Sequence, residues 1–515
     1  MALGLKHSPN SFLSLIYSYI AHLKKANPQT LNPLPLTLPK INKTHGLIKF
    51  FIYLIVILED MGSSLRVKEA VVVTPSDPTP TCVLNLSAVD SQLFLRFTIE
   101  YLLVYTPCPG LNQASTASRV KAALAHALVP YYPLAGRVRP KPDGSSLQVV
   151  CRAQGAVFIE AVSYNVAVSD FERAPRYIAE WRKLLSLQVA DVLKGAPPLV
   201  VQLTWLKDGA AALGVGFNHC VCDGIGSTEF LNSFAELATG KRGFTSEFKP
   251  KPVWDRHLLD PQLALNPRHH RVTHAASHPE YSKVPDVSGF VTRFANERLI
   301  PTSITFHKKY LIELKKLAAS TSRLSIESSS SYTSFEVLSG HVWRSWARAL
   351  NLPPNQTLKI LFSVNVRDRV RPSLPDGYYG NAFVLGCAQC SARELAEKGL
   401  WHAAELVKRA KERVGEEHVR RVVESVSGEG GRACPDSVGV LIVSQWSRLG
   451  LERVDFGMGK PVHVGPICSD RYCLFLPAGH SDGGDDDRGE SVKVMVAVPT
   501  SAVEKYEMLV KSPYS

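Results

Sequence analysis

The 515-residue sequence has little that would mark a membrane or secreted protein. Its most lipid-like stretch is LIKFFIYLIVILED, in which the uninterrupted apolar part, Phe50–Leu58, is nine residues long. A spanning helix needs about 20 such residues, so no integral membrane span is expected. The stretch also lies too deep in the chain, and lacks a small-residue cleavage site, for a signal peptide. No arginine precedes Arg66, which argues against a mitochondrial transit segment. No repeat of fixed period runs through the chain. RRM, helix-turn-helix and zinc-finger spacings are all missing around its basic residues, so nucleic acid is not an expected partner. There is no G-x-S-x-G elbow for a nucleophilic serine. Cys387-x-x-Cys390 and Cys220-x-Cys222 lack a second pair at zinc spacing, so no metal is expected.

What is present is a globular composition, 45% hydrophobic and 20% charged, on a chain long enough for two or more domains. The 34 glycines and 34 prolines recur along the chain, as turns within folded domains do. The net charge of +13 suits a small anionic ligand such as one carrying phosphates. The ten cysteines lie mostly in apolar, strand-like context, where Cys acts as a small hydrophobe. Reduced thiols, a cytoplasmic location and a monomer are the expectation.

The first sixty residues differ in texture, polar and Pro-containing without a clear period. Residues 1–60 read as an extension with no folded role, and Met61-Gly62 opens the dense pattern that follows. From Val67 onward, VKEAVVVTP reads as a strand, Ala114–Ala127 as a helix, Leu147–Ile159 and Leu199–Val215 as strands, and Ile178–Ala190 as a helix. Ser227–Ala238 reads as a helix with Phe230, Leu231, Phe234 and Leu237 on one face and Gly240 as its C-terminal cap. Residues 241–290 read as a crossover linker. His270, His274 and His278 recur there every four residues, but Pro267 and Pro279 bracket them and no carboxylate shares the spacing. The second half continues with His307–Ala319 and Ser334–Leu350 as helices, LKILFSVNVRDR as a strand, Leu395–Glu416 as one long helix, and VGVLIVSQW and SVKVMVAVP as strands. Gly479–Glu490 reads as a solvated acidic loop and Ser501–Leu509 as a last helix. Strands and helices alternate irregularly in two halves, 61–240 and 291–515. This predicts an α/β chain of two domains with a site at their interface.

The candidate chemistry lies in FNHCVCDGIG. An imidazole is the usual side chain for taking a proton near neutral pH, and His219 is followed at i+4 by Asp223. On a helix that carboxylate would orient the ring; in a loop it would point away. Gly224 directly after it favours the turn, and a buried Asp turned away would need a cation. Cys220 and Cys222 are close in sequence, but residues adjacent on a strand face opposite sides. Attack by a bound alcohol or amine deprotonated by His219 therefore needs the fewest parts.

Four segments then carry a resemblance. HCVCDG, His219–Gly224, is similar to the HxxxDG motif of the plant BAHD acyl-CoA-dependent acyltransferases. VDFGMGKP, Val454–Pro461, resembles their DFGWG motif, with Met458 where the family usually has Trp. LVPYYPLAGRV, Leu128–Val138, resembles their ALxxYYPLAGR loop, and NVRDRVRPSLPDGYYGN, Asn365–Asn381, their N-x-R-x-R…P-x-LP-x-GY-x-GN segment. The four stand in family order over about residues 65–515. The texture near residues 71–105 is closest to alcohol acyltransferases related to the taxane N-benzoyltransferases.

The resemblance implies two similar mixed-sheet domains of the chloramphenicol acetyltransferase type, joined by a crossover loop, with a channel at their interface. It implies acyl-CoA as co-substrate, no bound cofactor, and an alcohol or amine acceptor. His219 would be the general base and Asp223 would pair with Arg367. Gly224, Asp455, Gly457 and Gly459 would support the site, and Ser444 and Trp446 would donate to the oxyanion. Ser334 would lie near the pantetheine arm, with Arg448 and Lys460 meeting CoA phosphates. The reading left open is the acceptor, alcohol or amine, beside a catalytically silent ligand binder of the same fold.

Overall fold

The computed structural model describes residues 65–144, 146–184, 193, 195–243, 247–260, 278–294, 296–322, 331–427, 434–467, 470–478 and 491–512. The extension at 1–60, His270 and His274, and the acidic loop Gly479–Glu490 lie outside them.

Two six-stranded mixed sheets dominate. The first has the order Leu65–Val73 (β1), Ala156–Ser163 (β6), Leu199–Trp205 (β7), Ala211–Asn218 (β8), Thr98–Tyr105 (β3) and His463–Pro466 (β13). All its pairings are antiparallel except β6 with β7. The second has the order Phe383–Ser391 (β11), Thr357–Asn365 (β10), Val440–Gln445 (β12), Tyr472–Pro477 (β14), Val492–Pro499 (β15) and Leu299–Phe306 (β9), with β10, β12 and β14 mutually parallel. A small antiparallel sheet joins Cys82–Asn85 (β2), Leu147–Cys151 (β5) and Arg137–Pro140 (β4). The strand β13 comes from the C-terminal half of the chain yet completes the first sheet, pairing His463–Pro466 with Tyr101–Val104.

Among the described residues the α-helices of six or more residues are Gln113–Ala127 (α1), Gly224–Thr239 (α2), Lys308–Ser322 (α3), Ser334–Leu350 (α4), Ala392–Glu397 (α5), Leu400–Glu412 (α6), Glu416–Ser427 (α7) and Val503–Lys511 (α8), with one further short turn of helix at Phe290–Phe294. Among the described residues no helix is long and apolar enough to cross a membrane. Residues 211–218 are all buried, because β8 lies in the middle of its sheet with both faces covered. The helix α4 starts with a capping box, in which Thr333 and Glu336 satisfy each other's backbone N–H groups. Its apolar stripe, with Val342 and Trp343 fully buried, packs into a second core.

Several elements differ from the sequence reading. Leu199–Val215 is a hairpin, turned at Asp208-Gly209 with Gly209 at φ +81°. Leu147–Ile159 is two strands in different sheets. The segment read as one helix over Leu395–Glu416 is three, because Gly399 opens α6 and Gly415 separates it from α7. The helix expected over Ile178–Ala190 is a 3-10 turn at Glu180–Leu184, and residues 185–190 lie outside the described chain.

Candidate active site

The site grows from the end of β8. The register that pairs Thr98 with Asn218 continues one step further, where the His219 N–H donates to the Phe97 carbonyl at 2.8 Å. The chain then turns. Asn218 accepts from the Cys220 N–H at 3.1 Å, and its carbonyl accepts from Val221 at 3.0 Å. Asp223 caps α2, accepting from the Gly226 N–H at 2.9 Å. The four-residue spacing is therefore a strand end, a tight turn and a helix cap, and His219 and Asp223 do not stack on one helix.

Asp223 points away from the ring. Its two oxygens take a bidentate pair from the Arg367 guanidinium, both at 2.9 Å, and the Ala382 N–H at 3.1 Å. Arg367 also donates to the carbonyls of Tyr378 and Gly380. Burial pushes the Asp223 carboxyl up, but Arg367 and the two amides outweigh it and hold the group below its ordinary value. Across this pair, Glu229 of α2 carries a buried oxygen with no partner among the described residues, and burial lifts its carboxyl to about 7.

His219 itself is half-buried. Phe97 meets the ring edge-on at 5.2 Å between centroids, and Phe383 lies at 5.7 Å. Tyr472 stacks behind Phe97 at 6.0 Å. Nδ1 is sealed from solvent and meets no hydrogen-bond partner among the described residues, so Nε2 is the nitrogen left for a substrate. Burial lowers the imidazole's pKa, opposed by its own carbonyl, Asp223, Asn381 and Asp90, and the net shift is downward. The shift favours the neutral ring, the form that a base needs. The thiols beside it are protonated: burial pushes Cys220 up to about 12 and Cys222 higher still.

Trp446 leaves β12 and lies over the start of α2. A Cβ on Gly224 would come within 2.9 Å of its indole, so only glycine fits there. The indole meets Tyr101 edge-on at 5.3 Å, and the Tyr101 hydroxyl bonds Ser227, which in turn donates to the Asp223 carbonyl at 2.7 Å. Trp446 Nε1 is buried with no partner among the described residues, a donor without an acceptor there. Ser444 precedes it by two residues on β12, on the same strand face as Val440 and Ile442, which pack with Phe383.

A cavity of about 180 Å³ is lined by Gln445 and Ser447, the neighbours of Trp446 in the chain. Ser334, the first residue of α4, lines it with Phe335, Ser447, Arg448, Lys308 and Lys315. Three cations around a helix N-terminus make a place for anionic oxygens. The two lysines lie on α3 and carry no sequence motif; their spacing on a polar helix face was the one available signal. Lys460 is exposed and does not line this cavity.

The segment Val454–Pro461 is a closed loop. Asp455 Oδ1 accepts from the N–H groups of Gly457, Met458 and Gly459 at 2.7, 3.0 and 2.9 Å, with both glycines at positive φ. Phe456 is fully buried and meets Phe234 of α2 at 4.7 Å, a contact worth about 0.5–1.5 kcal/mol beyond its area. Met458 is 3% exposed and packs in the first core, so it fills an apolar slot in this loop.

A family described as the Transferase family matches residues 63–511. The fatty alcohol:caffeoyl-CoA acyltransferase of Arabidopsis thaliana is 32% identical over 447 residues, covering 85% of this chain and 96% of its own. The taxadien-5-alpha-ol O-acetyltransferase of Taxus chinensis is 29% identical over 462 residues, covering 88% and 97%. Vinorine synthase shares the fold, with a TM-score of 0.64 at 19% identity over 88% of this chain and 98% of its own.

Proposed function

We propose that this chain, which belongs to the Transferase family of BAHD acyltransferases, transfers an acyl group from coenzyme A to the hydroxyl of a small alcohol and forms an ester. The observation that carries the reading is the half-buried His219 ring with Nδ1 sealed, Nε2 free and the neighbouring carboxylate committed to Arg367. His219 Nε2 takes the proton of the acceptor hydroxyl as its oxygen bonds to the thioester carbonyl carbon. The tetrahedral oxyanion then collapses, the C–S bond breaks, and the imidazolium returns the proton to the CoA thiolate. The net exchange is one ester bond made for one thioester broken, with nothing oxidised or reduced.

The unpartnered Trp446 indole N–H and the Ser444 hydroxyl supply the oxyanion donors. The cavity with Ser334, Arg448, Lys308 and Lys315 admits the CoA arm and its phosphates. Asp223, Arg367, Gly224 and the Asp455 loop hold the backbone around them. In this reading the two halves meet at the site, with residues 241–290 as the crossover, and the enzyme acts as a cytoplasmic monomer. The names of the relatives, a fatty alcohol:caffeoyl-CoA acyltransferase and a taxadien-5-alpha-ol O-acetyltransferase, support an alcohol as acceptor.

The test is a panel of acetyl-, benzoyl- and hydroxycinnamoyl-CoA against pooled alcohols and amines, with product masses read out. Ester products with CoA release are expected. Amide products would replace the acceptor class, and CoA binding without turnover would replace the enzyme reading by a silent binder.

A further inference from the structure

Beneath the His219 loop lies a second buried cluster that the mechanism above does not use. Asp90, in the segment before β3, is fully buried. One of its oxygens accepts from the Ser87 N–H at 3.0 Å and the Ser87 hydroxyl at 2.7 Å. The other accepts from the backbone N–H of Asn381 at 3.0 Å and from its side-chain amide at 2.8 Å. The same amide donates to the His219 carbonyl at 2.7 Å. Asp90 also faces the guanidinium of Arg256 at 3.6 Å, with both side chains out of solvent. Arg256 in turn donates to the Val221 carbonyl at 2.7 Å. Its guanidinium lies over Trp254 at 4.2 Å and Tyr379 at 5.0 Å. A Cβ on Gly380 would sit 1.4 Å from Arg256 Nη1, so the chain approaches this cation as closely as glycine permits.

Two carbonyls of the loop, His219 and Val221, are thus gripped by two donors that share one carboxylate. Carbonyls in an ordinary surface turn would meet water instead, and would rotate with it. Here they are fixed from three distant parts of the chain. The His219 carbonyl matters most, because among the described residues that residue's peptide is otherwise held only by its N–H bond to the Phe97 carbonyl.

We infer that Asn381, Asp90 and Arg256 form a positioning clamp for the general base: they set the His219 peptide so that Nε2 faces the reacting hydroxyl. This rests on His219 being the base. It is separate from the Asp223–Arg367 pair, which holds the helix cap four residues after His219, and the two share no hydrogen bond among the described residues.

The test is Asn381→Ala in the full chain, assayed with saturating acyl-CoA and alcohol beside His219→Ala and Leu509→Ala. Leu509 is a core residue of α8, outside the site, and calibrates what loss of packing alone does. The clamp predicts that kcat of Asn381→Ala falls roughly 10- to 100-fold, as a misplaced reacting group does, while KM for acyl-CoA stays within about twofold. Leu509→Ala should lose thermal stability and keep kcat. Should Asn381→Ala fail to accumulate folded, Asn381→Ser carries the same prediction, since its hydroxyl is too short to reach the His219 carbonyl. Loss of activity in His219→Ala with full kcat in the Asn381 variants overturns the clamp and leaves the base assignment standing. Activity retained in His219→Ala overturns the base assignment, and the clamp with it.

Discussion

Arg367→Met isolates the buried pair that sets the helix end behind the catalytic loop. In the folded chain Asp223 is 4% exposed and accepts four hydrogen bonds, two of them from Arg367. Removing the guanidinium leaves a buried carboxylate with two amide donors, and breaking such a pair costs about 3–5 kcal/mol. Unfolding entropy near 2.1 cal/mol/K per residue over roughly 450 residues is about 0.9 kcal/mol/K, so the melting temperature should fall by about 3–5 °C. The sign of the pH dependence follows from Asp223. Its pKa is lowered in the folded state, so its ionisation stabilises the fold above the unfolded carboxylate value, and that contribution is lost as pH falls through the lowered one. In the variant burial dominates and the carboxyl moves up, so protonation relieves the cost. The stability gap between the two proteins should therefore narrow as pH drops from 7 towards 4. The double variant Asp223→Leu/Arg367→Met, which removes both charges, should recover most of the loss. Denaturant titrations at pH 7, 5.5 and 4 measure all three. A single-variant loss below about 1 kcal/mol, or a gap that stays constant with pH, would refute the reasoning.

The pH profile of kcat/KM should show an acid limb with its midpoint below 6.5, because burial lowers the His219 pKa and the neutral ring is the active form; a midpoint at or above 6.5 argues against it. Trp446→Phe keeps the packing on Gly224 and Tyr101 but removes the unpartnered N–H. It should lower kcat by about 10²- to 10³-fold with KM for acyl-CoA little changed, and steady-state kinetics with a melting curve separate the two effects. Lys315→Ala and Arg448→Ala should each raise KM for acyl-CoA by roughly three- to tenfold, less at high salt, with kcat held. Initial rates at two ionic strengths measure this, and an unchanged KM would remove the cavity from the CoA path.

Much of this was legible in the chain because local signals agreed. Ser334–Leu350 is a helix with the bounds its amphipathic pattern predicts. The turn at Asp223-Gly224 was readable from the glycine that follows the aspartate. Buried strands were harder. Phe383–Ser391 and Tyr472–Pro477 lie inside or along the second sheet, and covered faces leave no alternation of apolar and polar residues to read. The partner of Asp223 came from a resemblance, because a contact across 144 positions leaves no local trace. The same is true of Asn381 and Asp90, 291 positions apart. The cavity's lysines escaped notice for another reason: on α3 they look like any solvated helix face.

The most direct measurement of the central claim is the turnover of His219→Ala with the best acyl-CoA and alcohol pair. A positioned general base contributes about a hundred- to ten-thousand-fold, so kcat should fall by that factor while CoA binding and melting temperature hold. Turnover within a few-fold of the parent protein would contradict the account.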